Sequence, residues 1–86
     1  MIKNRDRVRI IRPDRNYIDC LKWVENFLNP VMKPQYTVSY EPATLNSIGE
    51  VICSGIYNDG NVNILLYGIR IGNKVFIMRT DGIRKI

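Results

Sequence analysis

Three short turns divide the second half of this chain into runs that suit strands and are too brief for helices. Asn58-Asp59-Gly60-Asn61 is the first, Gly72-Asn73 the second and Asp81-Gly82 the third. Asn, Asp and Gly tolerate the left-handed backbone angles that a tight reversal needs. Between and after these turns lie Val62–Ile71, Lys74–Thr80 and Ile83–Ile86, and Glu50–Tyr57 precedes the first. Isoleucine accounts for 13 of the 86 residues and sits in short runs, and β-branched side chains fit a pleated, half-buried surface. The pattern predicts a chain of antiparallel hairpins.

The first half adds two strands and one helix. In segment 5–12, Arg5, Arg7 and Arg9 alternate with Val8 and Ile10, the period of two that sends side chains to opposite faces. Pro13 closes this strand and Asp14 is a candidate cap for a helix over 15–28. Tyr17, Cys20, Leu21, Val24, Phe27 and Leu28 recur at spacings of three and four, with Asn16, Asp19, Lys22 and Asn26 opposite. Trp23 lies beside Phe27 at the border of that stripe. Asn29-Pro30 ends the helix and Lys33-Pro34 marks another turn. Gln35–Glu41 then alternates Tyr36, Val38 and Tyr40 against Thr37, Ser39 and Glu41, a half-exposed strand, and 42–49 reads as a loop.

The expected fold is therefore one α+β domain over residues 1–86: a strand, a helix inserted after it, then an antiparallel meander of four to five strands. Arg7-Val8-Arg9-Ile10-Ile11-Arg12-Pro13 resembles the first strand of small SH3-like barrels, which implies a sheet curled on itself. Gly55 and Gly68 fall inside strands, where a sheet can bend. Both features favour a half-open barrel in which the last strands pair with the first. The alternative is an open antiparallel sheet with the helix across one face. A core this small leaves room for a homodimer.

Charge is concentrated at the two ends. Residues 1–15 carry a net +4, residues 70–86 another +4, and the remainder sums to −3. Pairing of the first and last strands would merge Arg5, Arg7, Arg9 and Arg12 with Arg79, Arg84 and Lys85 into one basic patch. Alternate arginines on a strand stand roughly 6.6–6.8 Å apart, close to the spacing of phosphates along a nucleic-acid strand, and guanidinium forks pair well with phosphate. Tyr36 and Tyr40 are candidate stacking rings for bases. This gives the main expectation, a module binding the phosphate backbone of DNA or RNA. Trp23, Phe27 and Met32 supply the rival, because Trp and Met are enriched at protein contacts. On that reading the chain is a protein-interaction module, an inhibitor or assembly subunit, that meets an acidic protein with the same arginines.

Catalysis is not expected. The chain has no histidine, which removes the commonest general base, the Ser-His and Cys-His pairs and most zinc sites. The eight carboxylates are scattered, and the six glycines form no phosphate-binding loop. No catalytic residue, cofactor or metal is predicted. Cys20 and Cys53, the two cysteines, read as reduced thiols. Residues 1–9 lack the apolar stretch of a secretory leader, and no run is long enough to span a membrane. A cytoplasmic protein without a membrane partner is the expectation.

Overall fold

Gly60 and Gly72 adopt φ of +67° and +63°, and each opens a two-residue turn between antiparallel strands. The structure, a computed structural model, describes all of residues 1–86. Its strands are β1 (Arg7–Ile10), β2 (Thr37–Val38), β3 (Ile48–Asp59), β4 (Val62–Ile71), β5 (Lys74–Arg79) and β6 (Ile83–Lys85). Asp59 pairs with Val62 across the first turn and Ile71 with Lys74 across the second. Glycine is favoured at both positions because a side chain there would be strained. Thr80–Gly82 forms a 3-10 turn that leads into β6.

The helix starts later than the spacing predicts. Pro13–Arg15 is one 3-10 turn in which Asp14 makes no cap, and the helix proper, α1, covers residues 21–31. It begins as an α turn at Leu21–Trp23, widens to a π turn over Val24–Leu28 and tightens to a 3-10 turn at Asn29–Val31. The wide turn is closed by the Asn29 N–H donating to the Val24 carbonyl, five residues back. That spacing lets Trp23 and Leu28 both face inward, while Leu21, expected on the buried stripe, is exposed.

The strands form a single mixed sheet in the order β2-β5-β4-β3-β1-β6. All neighbours are antiparallel except β2, which runs parallel to β5. Two expectations are corrected here. The SH3-like barrel does not form: β2 and β6 are free edges, and no strand ladder joins them. The predicted strand over 35–41 shrinks to two paired residues. Residues 11–17 leave β1 as irregular chain around the Pro13–Arg15 turn. Ile11 and Arg12 donate to the Gly82 carbonyl, Asn16 makes a lone bridge to Met78, and the Tyr17 N–H donates to the Ile77 carbonyl. Gly55 and Gly68 mark close packing, of the helix on Gly55 and of Cys53 and Leu28 on Gly68. A Cβ on Gly55 would stand 2.5 Å from the Phe27 ring, and one on Gly68 would meet Cys53 Sγ at 2.7 Å and Leu28 at 3.3 Å.

Both faces of the central strands are buried, so Leu66–Ile69 and Val75–Met78 are apolar without alternation. On one face Cys53, Leu66, Val75 and Ile77 pack against Cys20, Trp23 and Leu28 of the helical segment. On the other, Val8, Ile10, Val51, Tyr67, Ile69, Phe76, Met78 and Ile83 pack together with Ala43 from the loop after β2. Val51 and Cys53 lie two apart yet serve opposite clusters. A register shift between them in the β3–β4 ladder, a bulge at Ile52, makes that possible.

Candidate functional site

The helix covers only part of its sheet face. Alternation along β1 buries Val8 and Ile10 in the opposite cluster and turns Arg7 and Arg9 toward the helix side, beyond the area that α1 reaches. Register then decides their neighbours. Arg9 stands between Ile48 of β3 and Arg84 of β6, whereas Arg7 is opposite Glu50, which is itself opposite Arg70 of β4. The Ile86 N–H donates to the Arg7 carbonyl at 3.0 Å, so the last residue lies alongside this group. Ile48 and Ile86, 37% and 61% exposed, flank the arginines with apolar surface.

The charges on this open area are unevenly satisfied. Arg70 reaches Glu50 Oε1 with Nε and Nη2, both at 3.4 Å, and donates from Nη1 to the Gly72 carbonyl at 2.8 Å. Its guanidinium lies 5.8 Å from the centre of the Tyr36 ring, and Lys33 Nζ lies 6.0 Å from the same ring, within cation–π range. Arg9 donates from Nη1 to the Asn46 carbonyl at 3.3 Å. The four ion pairs of the molecule involve Arg15, Arg70, Arg79 and Lys85. Arg5, Arg7, Arg9, Arg12 and Arg84 have no carboxylate partner. Arg9 and Arg84 are thus like charges directly opposed across a ladder, an arrangement that destabilises a sheet.

The seven predicted phosphate-binding residues do not form one patch. Arg7, Arg9 and Arg84 come together. Arg5 precedes β1 in a left-handed conformation, φ 75°, its N–H donating to the Val51 carbonyl at 2.7 Å, and it borders the same face, lining a cavity with Lys33, Tyr36 and Glu50. Arg12 has left the strand's alternation, with its N–H turned to Gly82. Arg79 shares the Asp81 carboxylate with Arg15, at 3.3 and 3.5 Å, beside residues Val62–Leu65 and away from Arg9 and Arg84. Lys85 is opposite Val8, on the other parity from Arg84, and is bound to Asp6 at 3.3 Å. The Lys3 backbone N–H, donating at 2.9 Å, holds the Asp6 carboxyl below the usual carboxylate range, with Lys85 adding to the effect.

The aromatic candidates are corrected as well. Trp23 is buried, donating from Nε1 to the Gly55 carbonyl at 2.9 Å. Phe27 packs 5.8 Å from it, and Met32 leans on the same cluster. Trp23 belongs to the core because an indole this large fills the space between helix and sheet, whereas Phe27 and Met32 are half-buried at its border. Tyr36 and Tyr40 make no two-ring platform. Tyr36 packs against the helix-side cluster, whereas Tyr40 is exposed beyond the end of β2. A local turn in which Ser39 Oγ accepts from the Glu41 N–H ends the strand's alternation before Tyr40 can share a face with Tyr36. Sequence reasoning missed Ile48, Glu50, Arg70 and Ile86. The available signal was Arg70, the only charge in Val62–Ile71, but its neighbours follow from long-range pairing alone.

No three His, Cys, Asp or Glu side chains gather into a group that could hold a metal, and no helix is long and apolar enough to cross a membrane. Comparison with protein-family models, with curated proteins and with solved structures gives no match.

Proposed function

We propose that this chain is a non-enzymatic protein-contact domain that meets an acidic protein surface with the open, arginine-bearing part of its sheet. The observation that carries the reading is the Arg9–Arg84 pair, opposed without a carboxylate and bordered by exposed Ile48 and Ile86. The fold tolerates an unfavourable juxtaposition that an external acidic group would relieve. Arginine surrounded by apolar surface is the composition of a protein contact, whereas a phosphate backbone gains nothing from the isoleucines. Pairing of Arg79 and Lys85 with Asp81 and Asp6 also reduces what nucleic acid could use, and the rings expected to stack bases do not share a face. The net charge of +5 would steer encounter with an acidic partner and make the on-rate depend on salt. Two buried free thiols fit a reducing compartment such as the cytoplasm.

The test compares wild type with Arg9→Glu and Arg84→Glu. Affinity capture followed by mass spectrometry should recover a discrete acidic protein with wild type, and each variant should weaken that complex by about 10-fold or more, the scale of one charge-assisted hydrogen bond at an interface. The reading fails if wild type instead retains duplex or single-stranded oligonucleotides with a steep salt dependence and the same variants abolish that retention.

A further inference from the structure

Arg5 holds a backbone conformation that disfavours a side chain. It is the third residue of a turn closed by the Asp6 N–H donating to the Lys3 carbonyl at 3.1 Å. Its φ of 75° is one that glycine or asparagine takes at that position with less strain. The Val51 carbonyl, accepting from the Arg5 N–H at 2.7 Å, fixes the residue against β3. Backbone strain of this kind gathers at binding sites, and here it sets an arginine beside a cavity of about 390 Å³.

The lining of this cavity combines charge with apolar surface. Arg5 and Lys33 contribute cations, and neither takes part in an ion pair. Glu50, the one carboxylate, is engaged through Oε1 by Arg70, and the same Arg70 lies near the Tyr36 ring. The surroundings are therefore net positive. Val31, 41% exposed, and half-buried Ile52 supply hydrocarbon. Glu50 also lines a second hollow with Arg7 and Arg70, which joins the cavity to the arginine face.

We infer that this cavity captures the C-terminal residue of the acidic protein proposed above, with its α-carboxylate on Arg5 and Lys33 and an apolar side chain against Val31 and Ile52. The inference rests on that reading and names the part of the partner that enters. An apolar C-terminal residue carries charge and hydrocarbon on one Cα, which is the combination the lining offers. An Asp or Glu side chain, or a phosphate, supplies the charge and leaves the hydrocarbon uncovered. Capture of a terminal carboxylate is a recurring mode of peptide recognition, and an arginine fork suits it.

Fluorescence anisotropy tests the inference, using an N-terminally labelled acidic peptide that ends in leucine, as the free acid and as the C-terminal amide. The free acid should bind about 10-fold more tightly, the scale of one charge-assisted hydrogen bond. Arg5→Gly and Lys33→Gln should each remove most of that preference. Arg5→Gly should do so with a melting temperature no lower than wild type, because glycine accepts the turn without strain. Arg9→Glu, on the neighbouring face, should weaken both peptides alike and leave the preference intact. Equal binding of acid and amide, a preference that survives Arg5→Gly combined with Lys33→Gln, or no binding of the free acid at millimolar protein would overturn the inference. A free-acid preference that stands while Arg9→Glu changes nothing would uphold the cavity and overturn the arginine-face reading.

Discussion

Gly55 sets how closely the helix approaches the sheet. The Phe27 ring occupies the space where any other residue would carry a Cβ, and the Gly55 carbonyl anchors Trp23. Gly55→Ala should therefore cost about 1–3 kcal/mol by overpacking, read as a lower midpoint in urea denaturation. Combining it with Phe27→Leu should cost less than the sum of the two single changes, because the smaller side chain frees the slot. Cys20 and Cys53 lie in the same cluster. Burial pushes each thiol up to about 11 from an ordinary 9.0, with Asp19 adding at Cys20 and a hydrogen bond from the Gly68 N–H opposing the shift at Cys53. The folded state thus prefers the neutral thiol. Its contribution is complete below the unfolded thiol's pKa and is lost as pH rises from about 9 toward 11. Because the thiolate is the nucleophile, alkylation followed by mass spectrometry at neutral pH should be slow in native protein and fast in denaturant.

Pairing between elements, rather than any single element, creates the arginine face. Arg9→Glu would place a carboxylate opposite Arg84 and convert a repulsive cross-strand pair into an attractive one. The fold should gain about 0.2–1 kcal/mol, measured as a higher melting temperature, even as partner binding weakens. Stability and function are expected to move in opposite directions at this position. Much of the sheet was legible locally: Gly60 and Gly72 announced their turns, and Val8 and Ile10 alternated with Arg7 and Arg9. Three features were not. The Ile52 bulge reverses which face Cys53 serves, the π turn rotates the helix so that Trp23 rather than Leu21 is buried, and β2 finds a parallel partner. Each depends on what the segment packs against, and residue spacing carries no record of that. The apolar runs of β4 and β5 correctly indicated strands, but they could not separate a closed barrel from an open sheet buried on both faces.

Across the whole molecule the contacts divide by distance along the chain. Strands β3, β4 and β5 are joined by two-residue turns, whereas β1 pairs with β6, setting Val8 against Lys85 and Ile10 against Ile83. Hairpins close in microseconds, but pairings between distant segments carry a large loop-closure entropy and slow folding to milliseconds or longer. The β3–β4–β5 meander is expected to form first and the β1–β6 ladder late. Joining that ladder brings Arg9 and Arg84 together, so the slow step works against electrostatic repulsion. Stopped-flow refolding should accelerate as salt screens the pair, and Arg9→Glu should refold faster than wild type at low salt and respond little to added salt. An equal salt response in both proteins would place the ladder after the rate-limiting barrier. The opposed arginines would then act as a kinetic brake, because the surface proposed to meet an acidic partner exists only after the slowest part of folding is complete.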